Sequence, residues 1–473
     1  MIFMIIRKEI LQNLLSLRFV LLLLLIISLF ASSGFVFVAK YRTQSDDYWK
    51  KANENLSGFR NKADQLYKLA FYGQEIWKKP KALTFCVGGY EKSLPNCFGT
   101  DAFLSVWWVK GRHNFLLNNF GDLDWVFIIS LPLSFMALFF TYDSICGERQ
   151  AGTLRLILSR AIPRYKVLVG KYAGAIMTIG LPLSVGLFVS LIIVISSGIV
   201  ELHAHDWIKI IVIILLSILY LSIFTLLGIF ISSRMAYSTN TMVVLLLAWV
   251  GLVILIPCFG RAVSDIFYKA PSDAVWTRRY SEMLDQLDRE AQAGKFGKNA
   301  LGFNADPNHP SVNPPAAARY WNAFAAGIMQ QREEGHNQRV AQALAGRKFA
   351  CLSPMVLYQQ ASEAIAGTGI HRCINIWEQI SRYKSQLKEY VRSNDADDPN
   401  SLHLLFFDEY LVENWNAISD KPVDFDTVPK FQEKDLALGE SLRLAIWDIG
   451  LLALLNLVFF AASFVSFLRY DVR

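Results

Sequence analysis

The chain has 473 residues, of which 53% are hydrophobic and 18% charged, and its mean hydropathy of +0.31 excludes an ordinary soluble protein of several domains. Its formal charge of +7 is no nucleic-acid signature. Lys and Arg recur at the ends of apolar runs instead of forming one basic stripe, so they set membrane topology and favour contact with anionic lipid.

Residues 1–14 place Ile2, Phe3, Ile5, Ile6, Ile10, Leu11 and Leu14 at helical spacing, with Arg7, Lys8 and Glu9 between them. Two readings fit: a helix lying in the cytoplasmic interface, or an extension of the span that follows. A spanning helix needs about 20 apolar residues, and six stretches qualify: 15–38, 123–142, 172–200, 207–232, 239–259 and 444–468. The first follows Arg7 and Lys8 and ends near small residues, as a signal peptide does. Its apolar run nevertheless continues through Phe35, Val36, Phe37 and Val38, longer than a signal core of about 7–15 residues, so it reads as a retained span.

Six spans put four cation-bearing segments on one side: Arg7 and Lys8, the loop 143–171, Arg234, and the tail 469–473. That side is predicted to be cytoplasmic, with both termini there. Two polar segments, 39–121 and 260–443, then face outward. The expected fold class is an all-α polytopic membrane protein with six transmembrane helices and two mainly helical extracytoplasmic segments.

Within the outer segments, helical periodicity runs over 46–79, 272–294, 316–346 and 374–392, and no strand is expected. The proline-rich stretch 304–315 reads as a loop. Ser353-Pro354 is a helix start and Gly367 a stop, which predicts a helix ending at Ala366. Cys86 and Cys97 share the first outer segment and Cys351 and Cys373 the second, whereas Cys146 and Cys258 stand alone. Even counts outside predict a disulfide in each outer segment.

Weaker signals lie in and beside the spans. Gly170 and Gly174 are one helical turn apart and permit close packing, and Pro132 and Pro182 can kink their helices. His203, His205 and Asp206 have ligand chemistry but fall short of the roughly four donors a metal needs, so a solvated loop is expected and no metal site. No Ser, Cys or paired-carboxylate arrangement suggests a catalytic residue.

The loop 143–171 is the most informative stretch. From Thr153, the residues Leu154, Ile157 and Leu158 share one helical face while Arg155 and Arg160 lie off it. A short amphipathic helix results, with Gly152 allowing a sharp turn, Thr153 capping the start and Pro163 ending it. Such a helix either lies in the headgroups or docks in a groove of a partner.

Gly147-Glu148, Gly152-Thr153-Leu154, Leu158-Ser159, Pro163-Arg164 and Gly170-Lys171 together give this loop a pattern that resembles the ABC type-2 transporter permeases. The resemblance extends to the N-terminal helix and the six-span plan. It departs at Ala161, where many relatives place proline. It implies that the loop is a coupling helix seated on a separate ABC ATPase, with Glu148, Gly152, Thr153, Leu154, Arg160, Pro163 and Arg164 as the coupling residues. It further implies ATP and Mg on that partner and no cofactor here, a second copy or paralogue of the permease, and residence in a bacterial inner membrane.

Gly147 and Gly152-Thr153 mimic the spacing of a phosphate-binding loop but lack its Lys, so this chain is not expected to hydrolyse ATP. The resulting expectation is the permease subunit of an exporter. The large insertion before the last span resembles the subgroup of these permeases with sizeable periplasmic domains, which implies interaction there with a substrate or a periplasmic partner, and the uniformly apolar spans favour a lipid or amphipathic cargo. The alternatives are a membrane-bound enzyme, or a mechanical or signalling subunit that moves the outer domain.

Overall fold

A computed structural model describes residues 2–62, 64–108, 123–154, 163–268, 272–298, 300 and 313–469. Six helices are long and apolar enough to cross a membrane, and the chain is an all-α polytopic membrane fold. Their starts and ends exceed the apolar cores because each helix carries polar turns past the greasy stretch.

Helix α1 (Ile2–Leu14) is separate from α2 (Leu17–Lys62). The break is made by Ser16, whose hydroxyl accepts from Phe19 N at 3.2 Å and donates to Asn13 O at 2.6 Å. This local bonding competes with a continuous helix, and it decides in favour of a separate N-terminal helix. Helix α2 runs unbroken for 46 residues, past its apolar core and into the lobe formed by the large polar segments.

After the short helix α3 (Leu66–Tyr72) the chain forms strands β1 (Gln74–Trp77), β2 (Cys97–Thr100) and β3 (Ser105–Trp108). They make an antiparallel sheet in the order β1-β2-β3, with Trp77 opposite Cys97 and Cys97 opposite Trp108. This corrects the helical expectation for 74–79. Gln74–Trp77 ends in Ile-Trp and Ser105–Trp108 in Val-Trp-Trp, residue types that favour strands, but runs of four are too short to register beside the long helical repeats. Asp101 sets the β2–β3 turn by accepting from Phe103 N and Leu104 N, both at 2.6 Å.

The second span starts at Trp125, where the Asp124 carboxylate accepts from Phe127 N at 2.7 Å. Helix α4 comprises Trp125–Ile128 and Ser134–Thr141, joined by the π turn Ile129–Leu133 that accommodates Pro132. It is followed by the one-turn helix α5 (Cys146–Gln150), then α6 (Arg164–Ser196), α7 (Ala204–Arg234) and α8 (Ser238–Phe267). Asp206 caps α7, its carboxylate accepting from His203 N at 3.0 Å and lying 3.3 Å from His205 Nε2.

Helices α9 (Asp273–Gln292), α10 (Pro314–Phe349), α11 (Pro354–Ala366), α12 (Ile370–Asp395) and α13 (Glu409–Asn414) build the lobe, and α14 (Leu438–Leu468) returns as the last span. The proline-rich loop lies outside the described residues from 304 to 312. Ser353 accepts from Val356 N as predicted, and Gly367 stops the helix at φ +72°.

Helix α11 does not stay in the lobe. It packs against α7 and α14, its Tyr358 ring stacks on Tyr220 at 4.7 Å, and its hydroxyl lies 2.7 Å from Ser217 Oγ. Ser353 Oγ also donates to Leu252 O at 2.6 Å. The apolar residues of α11 therefore share one core with the spans.

At the junction of α12 with the chain leading to α14, Arg372 is 4% exposed. Its guanidinium pairs with Glu91 and, at 2.9 Å, with Glu433, and it donates to Lys79 O at 2.9 Å. Burial raises the Glu91 carboxyl, but Arg372 and Lys78 outweigh that and hold it below its ordinary range. A paired, hydrogen-bonded charge of this kind fixes register between distant segments.

The expected disulfides are absent: no cysteine bridge occurs among the described residues. Cys86 is buried in the core shared with Trp125, Cys373 is buried in another cluster with Ile76 and Phe98, and Cys351 is exposed. Cys97 points its thiol toward Glu75 Oε2 at 4.0 Å. An even count in a segment carries no information about which face each thiol takes.

Candidate coupling site

Helix α1 lies across the start of α6, seated on two glycines. A Cβ at Gly170 would fall 2.8 Å from Ile5 Cγ2, and one at Gly174 would fall 2.7 Å from Glu9 Cβ. The small-residue pair expected to permit close packing does so, with α1 as its partner.

That approach brings four charges together. Lys171 is 3% exposed and lies about two turns into α6. Its ammonium is 2.8 Å from Glu9 Oε1 and 3.0 Å from Glu148 Oε1, and Lys8 Nζ is 3.1 Å from the same Glu148 oxygen. A buried lysine is tolerated only with such partners. The second oxygen of Glu148 is buried and has no hydrogen-bond partner among the described residues.

The loop around Glu148 is bonded to the remaining spans as well. Ile145 N and Cys146 N both donate to Ser232 Oγ of α7 at 3.1 Å. Ser238 Oγ, at the start of α8, donates to Gln150 Oε1 at 2.7 Å. Arg18 of α2 lies 3.5 Å from Asp143 and over the Phe139 ring at 5.2 Å. Past the loop, Arg164 Nη1 donates to Leu468 O of α14 at 2.6 Å. One short connection therefore touches α1 and five of the six spans, and by its own chain continues α4.

The predicted coupling residues divide into two groups. Glu148, Leu154 and Arg164 turn inward. Leu154 is 1% exposed and packs with Ile145, Val167, Leu168, Ile229 and Phe467. Gly152, Thr153 and Pro163 are exposed. Gly152 has φ +72°, the left-handed turn that glycine adopts without strain. Thr153 donates its hydroxyl to Glu148 O at 3.2 Å. Arg160, with the amphipathic stretch 155–162, lies outside the described residues.

The sequence profile of the ABC-2 family transporter proteins matches residues 3–472, nearly the whole chain. The chain belongs to the ABC-2 transporter family. No curated protein matches it. As an ABC-2 protein it is a multi-pass permease subunit of an ABC transporter, and the family implies an ABC ATPase as partner. Membrane subunits of ABC-2 transporters are generally not themselves enzymes.

Sequence reading missed Lys171 with Glu9 as a pair, and the anchors Ser232 and Ser238. A signal existed for the first two: Glu9 is the lone acid of α1, and Lys171 is a cation inside an apolar run. Both are costly in lipid unless matched. The two serines carry no such mark.

Proposed function

We propose that this ABC-2 permease exports an amphipathic or lipid cargo, driven by a separate ATPase that docks on the exposed Gly152, Thr153 and Pro163, with Arg160 as a further contact implied by the family resemblance. The observation that carries the proposal is the set of bonds joining the loop that bears them to α1 and the spans. Force on the loop is then shared by the bundle instead of bending one helix. Glu148, Leu154 and Arg164 serve as the internal linkage; the exposed residues serve as the contact.

In this reading the coupling end and both termini are cytoplasmic, following the positive-inside bias. The lobe is periplasmic in a bacterial inner membrane, and a second copy or paralogue completes the pathway. ATP and Mg belong to the partner.

Deletion of residues 152–164 is expected to abolish co-purification of the ATPase while the permease still reaches the membrane. Undiminished recovery of the complex defeats the assignment. A second reading, a mechanical subunit acting on a periplasmic partner, is favoured by α11, which links the lobe directly to α7 and α14. Vesicle flux in the reconstituted complex separates them, since a mechanical complex lets its ATPase turn over ATP without flux.

A further inference from the structure

Helix α12 places Lys384, Lys388 and Arg392 at intervals of four, on one helical face. Two adjoining clefts of the lobe, of about 570 and 340 Å³, meet along that face and share Asn322 and Arg392. Arg319 and His403 line the larger cleft, Lys384 and Lys388 the smaller. Leu404 and Val391 in one cleft and Phe103 and Met329 in the other supply apolar wall.

Asp101 and Glu333 act on Lys384 at longer range, but neither closes an ion pair with the basic row. Among the described residues, no carboxylate lies within the 4.0 Å ion-pair distance of Lys384, Lys388 or Arg392. Asp395, the carboxylate in the wall of the larger cleft, is already engaged. It accepts from Ser401 Oγ at 2.7 Å and Ser419 N at 2.8 Å, and it lies 3.2 Å from His403 Nδ1. His403 holds φ +55°, a strained backbone for a residue other than glycine, and such strain concentrates at ligand sites. Like charges four apart on a helix oppose folding. Burial, and then the neighbouring cation, lower both Lys384 and Lys388, and a bound anion reverses the second effect and favours the charged form.

We infer that this double cleft binds a multiply charged anion of the phosphate or carboxylate class, carried on or beside an apolar body. The inference goes beyond the coupling proposal and does not rest on it, because the cleft lies wholly in the lobe.

Titration calorimetry on the full-length protein in neutral detergent, with inorganic pyrophosphate as probe, tests it. Saturable binding is expected, weakened at least tenfold in K384Q/K388Q and several-fold in R392Q. R382Q, an exposed change off the cleft face of the same helix, is expected to leave it unchanged. Thermal midpoints establish that each variant is folded, and R392Q, on an exposed side chain, stands if the double variant is not. Absence of saturable binding in the parent protein, or equal affinity in folded K384Q/K388Q or R392Q, overturns the inference. Competition by dioctanoyl phosphatidic acid but not by dioctanoyl phosphatidylcholine identifies a lipid headgroup as the natural source. Pyrophosphate binding without that competition identifies a soluble anion.

Discussion

Glu9 and Lys171 meet at 2.8 Å across 162 positions of sequence, with the lysine 3% exposed. Lys171→Met leaves Glu9 and Glu148 with only the exposed Lys8 beside Glu148, which is expected to cost about 3 kcal/mol. Glu9→Gln alone leaves Glu148 as partner and is expected to cost less, and the pair of changes together less than their sum. Thermal unfolding in detergent as a double-mutant cycle checks this; strict additivity excludes the coupling.

The seat of α1 gives a second prediction. Gly174→Leu puts a side chain where Glu9 Cβ lies 2.7 Å from the missing Cβ, so α1 must lift. Trypsin is then expected to cut at Arg7 and Lys8 markedly faster than in the parent protein, as followed by mass spectrometry of the N-terminal peptide.

Tyr358 anchors α11 through a ring and a hydroxyl. Tyr358→Phe keeps the stacking on Tyr220 and loses the Ser217 bond, an expected cost of about 1 kcal/mol. Tyr358→Ala removes a fully buried ring and is expected to cost about 3–5 kcal/mol. If α11 transmits motion between lobe and spans, the alanine variant also uncouples flux from ATP hydrolysis.

Two buried groups of the lobe titrate in opposition. Burial pushes Asp101 up to about 6, so the folded state holds more protons than the unfolded and stability falls as pH rises from about 4 to 6. Burial pushes His336 down to about 4, so the unfolded state holds more protons and stability rises from about 4 to 6.5. In the parent protein these two contributions oppose each other. Asp101→Asn, which keeps an acceptor for Phe103 N and Leu104 N, is expected to uncover the rise; His336→Phe, which keeps the ring against Trp377, is expected to uncover the fall. Unfolding midpoints between pH 4 and 6.5 decide it.

The cysteines allow a direct measurement. Cys351 is exposed and is expected to react rapidly with maleimide, whereas Cys86 and Cys373 are buried and the Cys373 thiol is pushed up to about 11. Both are expected to react only after denaturation. Peptide mapping without reductant that finds either predicted bridge contradicts this structure.

The spans were legible because a membrane helix is specified by composition over a long window, and the ends of α11 because Ser353 and Gly367 act locally. The N-terminal break was open from periodicity alone: Ser16 closes it through two hydrogen bonds that no pattern announces. Strands of four residues were hidden because their pairing is set by partners up to 26 positions away, Gln74 with Thr100. At the candidate site the sequence marked the connecting loop. It did not reveal that Glu148 and Leu154 face inward, because that depends on where α6 and α7 pass. The insertion of α11 among the spans was equally invisible, since its amphipathic pattern fits a lobe as well as a bundle.

Helix α2 runs 46 residues without interruption from beside the charged cluster into the lobe, a rod of about 69 Å at the usual helical rise. A rigid shaft of that length is a lever. A tilt of about 5° at its base carries its tip roughly 6 Å sideways, more than the width of a helical turn. If the ATPase docks where proposed, movements there too small to reshape the bundle become displacements of several ångströms at the far end of this helix.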